Sequence, residues 1–313
     1  MYIGVDLGGT NIAVGLVDIE GNILAKSSRP TLADRPFEEI VKDMAQLCVE
    51  VTEAAGHTMD EIKGIGIGSP GAVDHAKGEI IYSNNIPWNH VPLRDEMQKY
   101  FDHIPVNIEN DANAAAYGEY SVNGKGSKTF VAITLGTGVG GGIVIDDKIY
   151  RGFNGIGGEL GHFTLVHDGI KCTCGKLGCW ECYASVTGLI RQTSEAIQKH
   201  PESQMAKIAA EEDHISGRTA FNAAKAGDPA AQEVVDAYIR YVADGIVSII
   251  NIFQPDLLVI GGGISKEGDY LLEPIKRFVA ENTYCKDIAQ SKLAIATLFN
   301  DAGIIGAALS AKS

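Results

Sequence analysis

The chain has 313 residues, of which 45% are hydrophobic and 21% charged, and its formal net charge is −14, from 26 basic and 40 acidic residues. The length favours two lobes over one small core, and the composition is ordinary for a globular protein. The acidic charge argues against non-specific binding to DNA or to anionic membranes, since both are polyanions. A nucleotide can still be held, because backbone N–H groups and Mg²⁺ bind phosphates without many lysines.

Three strands and two tight turns are predicted at the N-terminus, at residues 2–7, 12–18 and 22–28, with turns at Gly8-Gly9 and Glu20-Gly21-Asn22. A helix is predicted to start near Pro36, because apolar side chains follow it at i, i+3 and i+4 spacing. Neither a basic n-region nor an apolar h-region precedes the first strand, and no apolar run approaches the roughly 20 residues of a membrane span. We therefore expect a cytoplasmic protein without a membrane partner.

The next predicted elements are a buried strand at 65–68, a strand at 105–109 and an Ala-rich helix at 112–120. The N-terminal pattern then restarts. Residues 134–146 can be laid over residues 6–18 at a constant offset, with Leu, Gly and Asp recurring at matching places. Both copies have the pattern of a strand, a Gly-rich hairpin, a second strand and an acidic turn. We therefore predict a duplicated α/β domain with a cleft between the copies.

Residues 151–187 are predicted to be mostly loop, and helices dominate the chain after them. A long helix is predicted at 229–253, because its apolar residues share one face and Pro255 ends it. The wholly apolar strand 257–260 is expected to be covered on both sides. The chain is completed by a helix at 269–282, a strand at 292–297 and a last helix from Asp301.

Three glycine-rich loops are candidate phosphate sites, at Gly8-Gly9, Gly136-Thr137-Gly138 and Gly261-Gly262-Gly263. Without a Cβ, the backbone can approach an anion and align its N–H groups on phosphate oxygens. Asp6 can reach a Mg²⁺ ion on those phosphates, most simply through water. No Gly-Lys-Ser/Thr follows, so a P-loop is not indicated, and the first loop leads into a strand rather than the helix of a dinucleotide fold. A plain hairpin turn is the alternative for any single loop.

Asp111 lies where the strand at 105–109 gives way to a helix. As a structural residue it would be an N-cap, a position that Asp fills well. As a functional residue it would be a general base at the end of a strand, where open α/β sheets place their sites. An Asp that accepts the proton of an attacking hydroxyl is a recurring part of phosphoryl transfer. The local sequence leaves both interpretations open.

The cysteine cluster has the donor set of a structural zinc site, which is one imidazole and three thiols. These come from His162, Cys172, Cys174 and Cys179. Disulfides are disfavoured in a chain without a secretion signal, so free thiols or a redox pair are the alternatives to zinc. Cys182 is a further candidate ligand, although its spacing is less suitable. Cys48 lies on an apolar helical stripe and is predicted to be a core residue.

Two carboxylates, Glu159 and Glu181, flank this cysteine cluster. Zinc would hold the loop and so orient both side chains. If one ring nitrogen of His162 binds zinc, the other can donate to a ligand hydroxyl. Fixed acceptors and donors of this kind suit a sugar, whereas the alternative is that both glutamates only solvate a loop.

Five segments resemble the ROK family (repressors, open reading frames and sugar kinases) and occur in family order from residue 1 to the C-terminus: Asp6–Asn11, Glu109–Asn113, Leu135–Gly142, Glu159–His162 and Cys172–Glu181. The His-Cys₃-Glu pattern is the most specific of them. Through Asn84–Trp88 and Cys179–Ser185 the chain looks most similar to bacterial ROK glucokinases.

The resemblance implies an α/β, actin-like ATPase (ribonuclease H-like) fold of duplicated domains with the two-lobe architecture and interlobe cleft of hexokinases. The small lobe would comprise residues 1–118 and 300–313, and the large lobe residues 119–299, with the zinc loop at about 159–182. The resemblance also implies ATP-dependent phosphorylation of glucose at the 6-hydroxyl by a homodimer or homotetramer.

The resemblance further implies that Asp111 is the general base and that the sugar is contacted by Gly71, Asn85, Asn110, Asp111, Glu159, His162 and Glu181. ATP would be bound by Asp6, Gly8, Gly9, Thr10, Asn11, Gly136, Thr137 and Gly138, with the adenosine near Gly262 and Gly263. Mg²⁺ would lie near Asp6, and structural Zn²⁺ would be held by His162, Cys172, Cys174 and Cys179.

Three other functions compete with this interpretation. A kinase for N-acetylglucosamine, N-acetylmannosamine or mannose would keep every catalytic residue, so the motifs leave it open. Repressors of the family carry a helix-turn-helix ahead of the first hairpin, whereas this chain begins at that hairpin, and nucleic acid is therefore not an expected partner. An actin-like ATPase without a sugar site would not need the zinc loop between Glu159 and Glu181.

Overall fold

The structure of the chain, a computed structural model, describes residues 1–83 and 85–312. Asn84, in the segment Asn84–Trp88, lies outside the described residues. The chain divides into two compact units. Unit 1 comprises Met1–Ala132, Gly142–Gly158 and the segment from Thr297, and unit 2 comprises Ile133–Gly141 and Glu159–Ala296. The lobe limits that the resemblance implies stay a prediction.

The strands are β1 (Tyr2–Leu7), β2 (Asn11–Val17), β3 (Ile23–Pro30), β4 (Ile65–Ser69), β5 (Ala72–Asp74), β6 (Glu79–Tyr82), β7 (Asn89–Val91), β8 (Val106–Asn110), β9 (Thr129–Leu135), β10 (Val139–Ile145), β11 (Lys148–Ile149), β12 (Leu257–Gly261) and β13 (Lys292–Ile295). The α-helices are α1 (Phe37–Ala54), α2 (Leu93–Gln98), α3 (Asp111–Glu119), α4 (Glu181–Ala184), α5 (Val186–Lys199), α6 (Gln204–Glu212), α7 (Thr219–Lys225), α8 (Pro229–Phe253), α9 (Asp269–Asn282) and α10 (Ala302–Ser310).

The two larger sheets repeat one arrangement of strands. The first has the order β3-β2-β1-β4-β8, in which β1, β2 and β3 pair antiparallel and β1, β4 and β8 pair parallel. The second has the order β11-β10-β9-β12-β13, with β12 and β13 parallel. In each sheet the first three strands lie in reverse chain order, and two later strands extend the sheet beside the first one. This repetition confirms the duplicated α/β pattern predicted from the sequence.

The backbone of α10 packs directly against the first sheet and against α3. A Cβ on Gly66 in β4 would overlap the carbonyl oxygen of Ala307, and one on Gly306 would overlap that of Ala114 in α3. Because glycine has no Cβ, these backbones can touch where any other residue would hold them apart. The contact fixes α3 over the ends of β4 and β8, where the candidate site lies.

Most predicted elements are confirmed, and the helices at 229–253 and 269–282 have the predicted limits. Cys48 is fully buried, as expected of a core residue. The small sheet β5-β6-β7 was not predicted, because its strands have three or four residues and only one buried apolar side chain each. Within the described residues, each helix is too short or too polar to cross a membrane.

Candidate active site

Acidic residues gather where the parallel strands of unit 1 end. In the strand register Asp6 of β1 lies beside Gly68 of β4, which in turn lies beside Glu109 of β8. Asp111 follows two residues later as the first residue of α3. The carboxyl ends of parallel strands are the usual location of ligand sites in α/β sheets. The sheet therefore brings together the predicted magnesium residue, Asp6, and the predicted base, Asp111.

The carboxylate of Asp6 is buried near the negative charge of Asp111. Burial, and after it the charge of Asp111, raises the pKa of Asp6 from 3.8 to about 6. Burial also raises the pKa of Asp111, although the N–H of Ala112 donates to its Oδ1 at 2.8 Å and favours the charged form. A divalent cation would relieve this repulsion, so the residues present fit a Mg²⁺ ion near Asp6.

Asn110, and not Asp111, is the N-cap of α3. Its Oδ1 accepts hydrogen bonds from the N–H groups of Ala112 at 3.0 Å and Asn113 at 3.1 Å, and its Nδ2 donates to the carbonyl oxygen of Gly71 at 3.1 Å. Gly71 has a φ of 100°, a conformation that favours glycine. The capping interpretation of Asp111 is therefore wrong, and two predicted sugar contacts, Asn110 and Gly71, are bonded to each other.

The first glycine hairpin is held from two directions. The N–H of Gly8 donates to the carbonyl oxygen of Asn11 at 2.9 Å, which closes the turn. The hydroxyl of Thr31 donates to the carbonyl oxygen of Gly8 at 2.6 Å. A Cβ on Gly9 would come within 2.7 Å of the carbonyl oxygen of Asn85. The predicted phosphate hairpin and the predicted sugar contact Asn85 are thus neighbours in unit 1.

The second glycine loop, in unit 2, is anchored on the start of α5. The N–H of Gly136 donates to the carbonyl oxygen of Gly138 at 3.0 Å. Val186 donates its N–H to the carbonyl oxygen of Gly136 at 2.8 Å, and the hydroxyl of Thr187 donates to that of Thr137 at 2.7 Å. These bonds hold the backbone of the loop in one shape, which suits the binding of a phosphate by N–H groups.

Glu181 joins this glycine loop to the cysteine cluster. Its Oε2 accepts a hydrogen bond from the N–H of Val139 at 3.0 Å, and its carboxylate occupies the space that a Cβ on Gly138 would need. The Sγ of Cys172 lies 3.8 Å from its Oε1. Glu181 therefore holds the glycine loop next to the cysteine cluster.

The four predicted zinc ligands come together in unit 2. One ligand atom from each of His162, Cys172, Cys174 and Cys179 lies within 4.8 Å of all the others. Nδ1 of His162 lies 3.7 Å from the Sγ of Cys172, and the Sγ atoms of Cys174 and Cys179 are 3.6 Å apart. The three thiols and the imidazole converge without a disulfide, and this donor set fits a tetrahedral zinc ion.

The thiols of the cluster differ in their pKa values. The backbone N–H of Lys176 lowers the pKa of Cys174, whereas burial, followed by the neighbouring thiols, raises the pKa of Cys179 to about 12. Cys182 is outside the converging group, and burial raises its pKa to about 11. A bound cation would favour thiolates within the group of four, and Cys182 would stay a thiol.

The remaining predicted residues lie in two places of unit 2. Glu159 is exposed and comes directly before the 3₁₀ turn Leu160–His162, where its carbonyl oxygen accepts from the N–H of His162 at 3.1 Å. A Cβ on Gly262 would overlap the backbone of Leu135, whereas Gly263 has open space. The predicted adenosine loop therefore touches the end of β9, just before the loop at Gly136.

Sequence reasoning gave Glu109 no role of its own and missed its partners Arg151 and His75. Glu109 is fully buried and forms an ion pair with Arg151, and His75 lies beside it. The signals in the sequence were the position of Glu109 in the family segment Glu109–Asn113 and a carboxylate next to the apolar Ile108 near the end of β8. Its partners come from distant parts of the chain, so no local pattern connects them.

We expect Asp6→Asn to stabilise the ligand-free protein at pH 8, by about 2 kcal/mol. A carboxyl group with a raised folded-state pKa contributes stability at low pH that is lost as pH rises through about 6. The gain in the free energy of unfolding should therefore fall by roughly half between pH 8 and pH 5. Urea unfolding of both proteins at the two pH values, without nucleotide or Mg²⁺, measures this difference.

Asp43→Asn is the matched control for this prediction. Burial alone would raise the pKa of Asp43, but hydrogen bonds from Arg35 and Arg29 outweigh it and lower that pKa. Its neutralisation should therefore destabilise the protein at pH 8, with the opposite sign to Asp6→Asn. Equal effects of the two substitutions would contradict the raised pKa of Asp6.

Comparison with known proteins identifies the family. The sequence profile of the ROK family matches residues 2–313. The chain is 39% identical over 307 residues to a glucokinase of Halalkalibacterium halodurans (97% of this chain, 93% of the relative) and 38% identical over 308 residues to one of Thermotoga maritima (98% and 95%). Its fold matches the crystal structure of a ROK family glucokinase from Streptomyces griseus in complex with glucose and AMPPNP, at 37% identity and a TM-score of 0.83 over 99% of both chains. The α/β fold is therefore the actin-like ATPase fold of that structure, and the chain belongs to the ROK family.

Proposed function

We propose that this chain is an ATP-dependent glucokinase, which transfers the γ-phosphoryl group of ATP to the 6-hydroxyl of glucose. The observation that carries the proposal is the pairing of Asp6 and Asp111 at one edge of the first sheet, where one carboxylate suits a cation and the other a base. Similarity to glucokinases over nearly the whole chain supports the choice of substrate and donor.

In this proposal Asp111 is the general base. Its raised pKa makes the carboxylate a better proton acceptor near neutral pH than an ordinary aspartate. It would take the proton of the 6-hydroxyl as the oxygen attacks the γ-phosphorus. Asn110 and Gly71, which are bonded to each other, would hold the sugar beside it together with Asn85, Glu159, His162 and Glu181.

ATP would be bound mainly by backbone groups in this proposal. The hairpin from Gly8 to Asn11 and the loop from Gly136 to Gly138 would bind its phosphates, and Gly262 and Gly263 would lie near the adenosine. Asp6 would hold Mg²⁺ through water, and that ion would neutralise charge on the phosphates during transfer. Both loops are closed by internal hydrogen bonds, so little ordering is needed when a nucleotide binds.

The substrate itself is tested by measuring ADP release with Mg-ATP against glucose, mannose, fructose, N-acetylglucosamine and N-acetylmannosamine. We expect glucose to have the highest kcat/KM, by tenfold or more, since a site that hydrogen-bonds each hydroxyl discriminates against analogues that lack a partner. Preference for another hexose would replace glucose and keep the mechanism. Absence of turnover on all five sugars would favour a sugar sensor instead.

We expect Asp111→Asn to lower kcat about 10²- to 10⁴-fold, the usual contribution of a general base. Asparagine has the same shape but cannot accept the proton, so glucose affinity measured by calorimetry should change by less than about threefold. Asp102→Asn, at an exposed position of unit 1, is the control and should keep normal turnover. A wild-type kcat in Asp111→Asn would disprove the assignment of the base.

We also propose that the cysteine cluster binds structural zinc. The four converging ligand atoms of His162, Cys172, Cys174 and Cys179 support this. Zinc would supply no chemistry to the reaction. It would fix the loop between Glu159 and Glu181, and through His162 Nδ1 it would leave Nε2 for a sugar hydroxyl.

Cys174→Ser should abolish zinc binding, because hydroxyl oxygen is a poor replacement for thiolate in such a site. Since structural zinc binding is coupled to folding, the melting temperature should also fall by several degrees. Cys182→Ser is the matched control and should keep one zinc per chain, as Cys182 lies outside the group of four. Mass spectrometry of the native protein measures both, and zinc lost from Cys182→Ser but kept in Cys174→Ser would reverse the ligand assignment.

The proposal extends to a homodimer or homotetramer in the cytoplasm, as expected from the resemblance to ROK sugar kinases. Light scattering of the purified protein measures the assembly.

A further inference from the structure

A buried carboxylate lies directly behind the proposed base. Glu109 is the fourth residue of β8, two positions before Asp111, and its side chain is completely shielded from solvent. A charged side chain is almost never fully buried unless it is paired. The proposed mechanism gives Glu109 no contact with sugar or nucleotide, so its burial needs another explanation.

One oxygen of Glu109 is held by an arginine. The Nε and Nη2 of Arg151 lie 2.8 and 2.7 Å from Oε2. Arg151 lies just after β11, at the start of the segment 151–158. The N–H of Gly157 donates to the carbonyl oxygen of Arg151 at 2.9 Å, which closes this segment into a loop. The guanidinium is one-third exposed, so it neutralises the buried carboxylate while keeping part of its own hydration.

The other oxygen of Glu109 is bonded to the start of α3. Oε1 accepts from the backbone N–H of Asn110 at 3.0 Å and from Nδ2 of Asn113 at 3.2 Å. Both bonds fall within the cap and first turn of the helix that begins with Asp111. His75 closes the remaining side, with Nε2 at 3.4 Å from Oε1 and Nδ1 at 2.8 Å from the carbonyl oxygen of Ile108.

We propose that Glu109 and Arg151 are positioning residues for the general base. The ion pair fixes the backbone N–H of Asn110 and the side chain of Asn113, and so sets the direction in which Asp111 leaves the helix. In the proposed mechanism neither residue touches the reacting atoms. This inference rests on the proposed role of Asp111, and it adds two residues that orient that base.

The physical reason lies in the sensitivity of proton transfer to geometry. A displacement of about 1 Å in a catalytic group can reduce turnover on the order of 10²-fold. Buried ion pairs are poor devices for stability, because apolar residues of similar volume often stabilise a protein as well or better. For Glu109 and Arg151 the proposed benefit is a fixed orientation, because removing either partner leaves an uncompensated buried charge.

The test combines Glu109→Gln with Asp111→Asn in a double-mutant cycle. Glu109→Gln keeps the shape but removes the charge that holds Arg151. We expect it to lower kcat for glucose about 10- to 100-fold and to change the KM values for glucose and ATP by less than threefold. In the Asp111→Asn background the same substitution should have no further effect on kcat, because the base that it positions is already gone.

Chemical rescue and a matched ion pair separate positioning from stability. Arg151→Ala should lose kcat to a similar degree and recover at least part of it in millimolar guanidinium chloride, which can enter through the exposed side of the pair. Asp43→Asn breaks the pairs of Asp43 with Arg29 at 2.8 Å and Arg35 at 2.7 Å, also in unit 1. It should lower the melting temperature and leave kcat unchanged.

Three other results would overturn the inference, and they separate a failure of the positioning role from a failure of the proposed base. A normal kcat in Glu109→Gln, with only a lower melting temperature, would make the pair purely structural while Asp111→Asn stays inactive. Additive losses in the double variant would mean that Glu109 acts independently of Asp111. A wild-type rate in Asp111→Asn itself would overturn the proposed base, and the positioning role with it. If Glu109→Gln does not fold, the guanidinium rescue of Arg151→Ala decides the question.

Discussion

The structure of unit 1 depends on backbone contact between α10 and the parallel strands. Gly66 and Gly306 allow the helix to touch both β4 and α3, and any side chain at these positions would force them apart. Through this contact the first turn of α3 is placed over the ends of β4 and β8. Two acidic side chains, Asp6 and Asp111, then meet at one edge although more than 100 residues separate them in the sequence. The proposed chemistry depends on that meeting.

Bringing these carboxylates together is unfavourable for the ligand-free protein. Burial and mutual repulsion raise the pKa of Asp6 to about 6, so part of the folding free energy is spent in keeping a charged group where it is least stable. Active sites commonly show this conflict between stability and function. In the proposed kinase, Mg²⁺ and the phosphates of ATP would resolve it, since a cation favours the ionised form of Asp6.

In unit 2 a single side chain, that of Glu181, holds the loops of the proposed site. Glu181 bonds the N–H of Val139 and fills the space beside Gly138, so the glycine loop and the cysteine cluster share a side chain. The proposed zinc ion would therefore influence the proposed phosphate loop as well as the proposed sugar contacts. This coupling gives a physical reason for a metal in a region that is otherwise mostly loop.

The sequence by itself determined the elements and the local motifs. An apolar face and the proline after it were enough for α8, and the limits of α9 were also predicted. The spacing of His162 and the three cysteines was enough to predict their convergence. These features depend on neighbours in the chain. The roles of the sugar contacts came from family resemblance and not from spacing.

Only the tertiary structure decided how distant residues combine. Local sequence left open whether Asp111 caps α3, and the hydrogen bonds of Asn110 show that Asn110 is the N-cap instead. The role of Asp111 as a base stays a proposal. Local sequence could not reveal that Arg151 and His75 lie against Glu109, because they come from segments 42 and 34 residues away. Burial and long-range ion pairs arise when separate elements pack together, and no local pattern in the chain encodes which partner a buried charge will find.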